Sequence, residues 1–137
     1  NHPRTGGVGP AGPASSPLDE AALASAAVLF RGFADVSRLA ILAHLMLGEH
    51  RVRDLTEHLG LAQSTVSEHL RCLLSCGLVQ VRAQGRSSVY SLAAEAGIRD
   101  VLVAAEELLA ATGDAVQLCP RGEAEQVAVF ASRVVSQ

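Results

Sequence analysis

The chain has 137 residues, of which 49% are hydrophobic and 18% are charged. This length and apolar content are typical of one compact domain. With three Phe, one Tyr and no Trp, the chain lacks the aromatic surfaces on which single-stranded nucleic acids stack. No apolar run approaches the roughly 18 to 20 residues that cross a bilayer, and no basic-then-apolar leader is recognisable, so we expect a cytoplasmic protein.

The charges are unevenly distributed along the chain. The net charge is −3, yet residues 31–92 hold more Arg than acidic residues and both flanking segments are acidic. We therefore expect any anion-binding surface to lie in the middle segment. All the basic residues are Arg, which suits planar contacts to phosphate, although a GC-rich coding sequence is the simpler explanation.

Residues 1–17 are rich in Gly, Pro and Ser and have no hydrophobic period, which predicts a flexible arm. Ser16 and Pro17 are typical of a helix N-cap and first helical position. The helix predicted after them carries an apolar stripe at helical spacing: Leu23, Ala26, Ala27 and Phe30.

Two further helices are predicted before residue 60. Asp35 is expected to cap the first of them, which ends at Gly48. Its buried side is predicted to consist of Val36, Leu39, Ala40, Leu42, Ala43 and Met46. A short third helix is predicted over Val52–Leu59 and stops at Gly60.

Residues 63–76 form a predicted fourth helix whose side chains sort into three stripes at about 100° per residue. The core stripe consists of Val66, Leu70 and Leu73. A polar stripe on the far side consists of Gln63, Ser64, Ser67, Glu68 and Arg71. A third stripe beside the core consists of Thr65, His69, Cys72 and Cys76.

A hairpin and a last helix are predicted to follow. The two strands are residues 78–82 and Ser87–Leu92, joined around residues 83–86. The last helix ends near Thr112 and has one apolar stripe: Ile98, Val101, Leu102, Ala105, Leu108 and Leu109. Residues 113–137 are predicted to form a tail that carries Cys119 and a weakly amphipathic stretch at 127–135.

A short helix, a Gly turn, a helix with a polar outer face and a basic hairpin predict a winged helix-turn-helix, a mainly α fold with a β-hairpin wing. The fourth helix would enter the major groove of double-stranded DNA. Its candidate base contacts are the polar residues near its start: Gln63, Ser64, Thr65 and Ser67. The candidate phosphate contacts are Arg71, Arg82 and Arg86. The alternative is that this polar stripe is only a solvated helix face.

Residues 18–112 resemble the ArsR/SmtB repressors. The resemblance is carried by FADVSRLAILAHL, VRDLTEHLGLAQSTVSEHLRCLLSCGLV and RAQGRSSVYSL, in the order and spacing of that family. It implies a winged helix-turn-helix homodimer built on the first and last long helices. It also implies a repressor that binds a partly palindromic operator and releases it when an inducer, usually a metal ion, is bound.

The inducer sites of this family differ in position. The arsenic-type Cys-x-Cys in the third helix is absent here, and residues 98–112 contain no His for the zinc-type site. The residue pairs His69-Leu70, Cys72-Leu73 and Cys76-Gly77 instead resemble the cadmium- and lead-sensing CmtR branch, which has a third Cys in its tail. The resemblance implies that the thiolates of Cys72, Cys76 and Cys119 bind the metal ion, with Cys119 matched by position only.

The chemistry of these residues agrees with that assignment. Cysteines at i and i+4 share a helix face, and three soft thiolates suit Cd(II) or Pb(II) better than Zn(II), which we expect to be a weaker inducer. The alternative is that Cys72 and Cys76 are small buried hydrophobic residues. His69 is a further ligand, a hydrogen-bond donor to a ligand, or a packing residue. The remaining histidines of the predicted domain are expected at the surface or at helix edges: His44, His50 and His58.

The sequence thus predicts a metal-responsive repressor in which metal and operator DNA are antagonists. A thiol-redox switch on the same scaffold is one alternative, although a Cys72–Cys76 disulfide would distort the helix. A winged-helix module that contacts only proteins is another. No nucleophile, base and acid set, phosphate loop or open metal constellation indicates an enzyme.

Overall fold

The computed structural model describes residues 19–120, which contain five helices and three strands. In chain order these are α1 Glu20–Phe33, α2 Val36–Leu45, β1 His50–Arg51, α3 Val52–Leu59, α4 Gln63–Ser75, β2 Val79–Gln84, β3 Ser87–Leu92 and α5 Glu95–Ala111. The predicted arm at 1–17 and the tail beyond Pro120, with its amphipathic stretch, lie outside the described residues. The described elements have the architecture of the predicted winged helix-turn-helix.

Two aspartates set the starts of the first two helices. The Asp19 carboxylate accepts a hydrogen bond from the backbone N–H of Ala21 at 3.1 Å, so α1 begins at Glu20. The predicted start at residues 16–17 lies outside the described residues. Asp35 caps α2 as predicted, accepting from the Arg38 N–H at 3.0 Å. In both cases a side-chain oxygen satisfies an N–H that the helix leaves unpaired.

The wing is a three-stranded antiparallel sheet in the order β1-β3-β2. Strand β2 extends to Gln84, so Gly85 and Arg86 alone form the turn, which is shorter than the predicted 83–86. Gly85 has a φ of 63°, a left-handed conformation that glycine adopts at little cost. The edge strand β1 was not predicted, because two residues are too few to show an alternating pattern.

The core is built around α2 and α4. Every residue of α2 from position 40 to 45 is buried, and the largest fully buried side chains come from α2, α3 and α4: Ile41, Leu42, Leu55, Leu59, Val66, Leu70 and Leu73. The predicted core stripe of α4 is therefore confirmed. The prediction for α2 is wrong at Val36, which is 43% exposed, and it missed Ile41, because a central helix is enclosed on more than one face.

The outer sides of α1 and α5 are apolar and exposed. Leu23 and Phe30 on α1 are each 55% exposed, and Leu108 on α5 is 71% exposed. On α5, only Ile98 and Leu102 of the predicted stripe are fully packed into the core. No helix among residues 19–120 is long and apolar enough to span a membrane.

His44 is buried, at 5% exposure, so its predicted position at the surface or a helix edge is wrong. Its Nδ1 lies 3.1 Å from the carbonyl oxygen of Ala40, one turn earlier in α2. Burial lowers the pKa of His44 below the ordinary 6.5, and the neighbouring His58 and His50 add to the lowering, against the bond to Ala40. The folded chain therefore holds this imidazole neutral.

Acidification should destabilise the fold through His44. Below the ordinary value of 6.5 the unfolded chain binds a proton at His44 that the folded chain resists. The melting temperature should therefore fall as the pH is lowered from 6.5 towards 5.5. Above pH 6.5, titration of His44 should not change the melting temperature. Thermal unfolding of the wild type and His44→Gln across this range measures the effect. Equal pH slopes for the two proteins would contradict it.

Candidate functional site

The helix proposed to contact DNA is positioned by a tight turn. Gly60 ends α3 with a φ of 70°, and its N–H donates to the Thr56 carbonyl at 2.9 Å. Only Leu61 and Ala62 then separate this glycine from α4, and Leu61 packs against the core. The short connection fixes α4 against α3, as the helix-turn-helix requires.

The polar face of α4 is open to solvent. The predicted base and phosphate contacts at Gln63, Ser64 and Arg71 are exposed, whereas Thr65 and Ser67 are half-buried towards the side of the helix. Burial of the core stripe at 0% exposure fixes this orientation, because the two stripes lie on opposite sides of the helix. The structure thus brings the predicted polar contacts onto one exposed surface.

The two predicted cations of the wing are in different environments. Arg86 is exposed at the tip of the hairpin. Arg82 is paired with Glu49, with Nε donating to Oε2 at 3.1 Å and Nη2 to Oε1 at 2.7 Å. Those hydrogen bonds lower the pKa of the Glu49 carboxyl and raise the pKa of Arg82. Thirty-three positions separate the partners, so no local sequence pattern could have revealed this pair.

Cys72 and Cys76 lie together at the end of α4. Both are half-buried free thiols, and Cys76 is the C-cap residue, whose N–H donates to the Cys72 carbonyl at 3.0 Å. Burial first, and then the charge and hydrogen bonding of Cys72, raise the pKa of the Cys76 thiol. Ser75 and Arg31 oppose that increase. The pair can supply two soft ligands once it is deprotonated.

The end of α1 covers this thiol pair. Gly32 is buried, and a Cβ atom added to it would lie 3.4 Å from the Cys76 sulfur and 2.6 Å from Cδ1 of Leu78. Glycine at this position therefore lets α1 approach the end of α4 closely. The only signal for this contact in the sequence is the glycine itself, at the end of an amphipathic helix.

Arg38 and His69 connect the end of α1 to the middle of α4. The Arg38 guanidinium donates to the carbonyls of Gly32 at 3.2 Å and Arg31 at 2.7 Å, the last turn of α1. Its Nη1 lies 3.3 Å from His69 Nδ1 on α4, and His69 Nε2 lies 3.7 Å from the Asp35 carboxylate. Because a guanidinium only donates, Nδ1 is the acceptor in this contact. His69 thus has a bridging position between Arg38 and the Asp35 carboxylate.

Cys119 lies apart from the thiol pair. It is buried, and its N–H and that of Leu118 donate to one oxygen of Glu106 on α5 at 3.1 and 2.7 Å. Its sulfur lies 3.8 Å from the Arg99 carbonyl, and the Arg99 side chain reaches the Pro120 carbonyl at 3.5 Å. Within residues 19–120, no three His, Cys, Asp or Glu side chains are arranged to hold a metal ion. Within one chain, the structure thus brings together two of the three predicted thiols, those of Cys72 and Cys76.

Known proteins resemble this chain in sequence. The family described as bacterial regulatory protein, arsR family, matches residues 35–81. A probable mercury resistance operon repressor of Streptomyces lividans is 37% identical over 99 residues, which cover 71% of this chain and 78% of that protein. The transcriptional regulator CmtR of Mycobacterium tuberculosis is 45% identical over 76 residues, 56% of this chain and 62% of CmtR.

The fold is shared with solved regulators. The solution structure of a homodimeric winged helix-turn-helix DNA-binding domain from Mycobacterium bovis, a possible ArsR-family regulator, has a TM-score of 0.59 and 32% identity. The match covers 69% of this chain and 92% of that domain. The predicted fold class and the predicted absence of enzyme activity agree with these matches. This chain belongs to the arsR family of bacterial regulatory proteins, which are transcriptional regulators and not enzymes.

Proposed function

We propose that the chain is a homodimeric repressor that binds operator DNA and is released when Cd(II) or Pb(II) binds to cysteine thiolates. The observation that carries this proposal is the double use of α4. One face exposes the polar side chains suited to base edges, and the C-terminal end of the same helix holds Cys72 and Cys76 in contact. A relative named for mercury resistance supports a soft, thiol-binding inducer.

The DNA surface would consist of the polar face of α4 and the wing. Gln63 suits adenine, and hydroxyls such as those of Ser64 and Thr65 can serve several bases. Arg71 and Arg86 are exposed and would neutralise phosphates on either side of the groove. Arg82 would join them only after exchanging its Glu49 partner for a phosphate, since both bind the same guanidinium edge.

A second copy of the chain would cover the apolar sides of α1 and α5. Large exposed apolar side chains such as Leu23, Phe30 and Leu108 are costly in water and are typical of a protein interface. A two-fold axis through this surface would place one α4 on each side, as a palindromic operator requires. The homodimeric domain from M. bovis supports this assembly.

The thiol pair fits a soft ion, and we place the third thiolate at Cys119. Such an ion supplies strong bonds to sulfur and displaces the thiol protons. To bind the ion, Cys119 must give up two contacts that hold it against α5. These are the hydrogen bond from its backbone N–H to Glu106 and the contact of its sulfur with the Arg99 carbonyl. We infer that it joins the pair of the partner subunit, so that the site spans the dimer.

The contacts around the pair would carry its rearrangement to the DNA surface. Gly32 abuts Cys76, and Arg38 fixes the end of α1 to His69 on α4. Any change in the space between Cys76 and Gly32 must therefore alter the angle between α4 and α1. Because α1 is a proposed dimer helix, that angle sets the separation of the two α4 helices across the dimer.

Substitution of the thiols tests this mechanism. We expect Cd(II) to weaken binding of the wild type to a duplex selected from a random pool by the metal-free protein. A loss of about 5- to 150-fold is the usual range for such coupling. Cys72→Ser and Cys76→Ser should abolish the loss, and Cys119→Ser should reduce it. Fluorescence anisotropy of the labelled duplex provides the measurement.

The controls distinguish three effects: loss of folding, release by metal and release by oxidation. Metal-free DNA binding by each Ser variant shows that it folds, and Zn(II) should release the wild type less effectively than Cd(II). Release of the triple Cys→Ser variant by Cd(II) to the wild-type extent would overturn the proposal. Release by peroxide with loss of two free thiols, and none by Cd(II), would instead establish the redox alternative.

The ion pair at the wing predicts a gain of function. Glu49→Gln removes a negative charge beside Arg82 and frees this cation for phosphate, so affinity for the selected duplex should rise about two- to fivefold at low salt. Arg86→Gln should weaken binding and lower the slope of log K against log salt by about one. Anisotropy titrations across a range of salt concentrations measure both effects.

A matched ion pair far from the wing serves as the control. Glu95 and Arg99 pair at 3.2 Å at the start of α5, so Glu95→Gln breaks an Arg–Glu contact without changing the wing. Its DNA affinity should equal that of the wild type. An equal gain in DNA affinity from Glu49→Gln and Glu95→Gln would show a general effect of net charge. It would refute the competition between Glu49 and phosphate for Arg82.

A further inference from the structure

Three histidines form a cluster that is separate from the thiol pair. His44 comes from α2, His50 from β1 and His58 from the last turn of α3. Their ring centroids are 5.1 Å apart for His44 and His58, 5.5 Å for His50 and His58, and 6.0 Å for His44 and His50. The fold therefore brings three imidazoles from three different elements into mutual contact.

These separations match the space that one metal ion needs. With Zn–N bonds of about 2.0 to 2.1 Å and tetrahedral angles, three coordinating imidazoles have ring centres about 5 Å apart. The cluster has nearly that spacing in this structure.

The hydrogen bonds of two of these rings prepare them as ligands. His44 Nδ1 lies 3.1 Å from the Ala40 carbonyl, and His50 Nδ1 lies 2.8 Å from the Gly48 carbonyl. A carbonyl only accepts, so each Nδ1 carries the proton and each Nε2 keeps its lone pair. Imidazoles that bind metals commonly make this backbone contact, which fixes both tautomer and ring orientation.

His58 is the movable member of the cluster. Its ring stacks on His44 with 25° between the planes, and no three His, Cys, Asp or Glu side chains within residues 19–120 are placed to hold one metal ion. A stacked ring cannot direct its nitrogen at an ion shared with its neighbour. Because His58 is exposed on a helix surface, rotation about its side-chain torsions costs little and can bring its nitrogen to the other two.

From this geometry we propose that His44, His50 and His58 form a second metal site, which takes a borderline divalent ion such as Zn(II), Co(II) or Ni(II). Imidazole nitrogens suit these ions, whereas the proposed thiol site suits softer ones. Water would complete the coordination. The bound ion would tie α3 to α2 and to β1, which pairs with the wing strand β3 through His50 and Tyr90. The site does not depend on the proposed function.

The test uses the full-length chain with its three cysteines changed to serine, so that sulfur cannot bind the probe. Co(II) should give the visible absorption of a tetrahedral nitrogen and oxygen site, and Zn(II) should displace it. His58→Asn should weaken Co(II) binding by about tenfold or more. His58 is exposed, so this variant should fold, and circular dichroism verifies that it does.

Two further measurements make the result decisive. His2→Asn removes an imidazole outside the described residues and should leave Co(II) binding unchanged. Zn(II) should raise the melting temperature of the thiol-free protein but not that of its His58→Asn variant. The proposal is overturned if the thiol-free protein gives no tetrahedral Co(II) spectrum, if His58→Asn binds Co(II) as tightly as its parent, or if His2→Asn abolishes binding.

Discussion

Burial of Val66, Leu70 and Leu73 fixes the rotation of α4 about its axis, and every side chain of this helix proposed to contact DNA or metal takes its direction from that burial. A helix turns by about 100° per residue, so a core stripe at these positions directs Gln63 and Ser64 outwards. It also leaves Cys72 beside the core. Rotating α4 to expose another face would remove these three side chains from the core. The loss of burial would cost about 1.5 to 3 kcal/mol for each of them.

The junction between α1 and α4 is the second constraint. Close contact at Gly32 and the Arg38 guanidinium join the end of a helix with an exposed apolar side to the end of the helix proposed to read DNA. The backbone N–H of Arg38 also donates to Asp35, the N-cap of α2. The end of α1, the start of α2 and the middle of α4 thus meet at one arginine. In the proposed mechanism, a change at the thiol pair would reach the neighbouring helices through these contacts, since packed helices respond by shifting as units.

The sequence predicted those features that depend on local periodicity. Helix α3 and strand β3 have the predicted bounds, Asp35 is the predicted cap, and the core stripe of α4 is buried as its spacing indicates. What it could not predict are contacts between residues far apart in the chain. The Glu49–Arg82 pair and the burial of His44 depend on how elements pack, and no i+3 or i+4 pattern encodes them.

The placement of Cys119 shows the same limit and has an energetic consequence. The sequence shows a Cys after the last helix but not its contacts, which are a Glu106 oxygen bonded to its backbone N–H and an Arg99 carbonyl near its sulfur. Two N–H groups bonded to one carboxylate oxygen hold this segment against α5, and breaking such charge-assisted bonds costs free energy. An ion that recruits Cys119 must exceed that cost, so weakly thiophilic ions would bind the Cys72–Cys76 pair without moving the tail. In the proposed mechanism, docking of residues 113–120 would therefore act as a threshold that favours the softest ions, in addition to the preference of the sulfur atoms themselves.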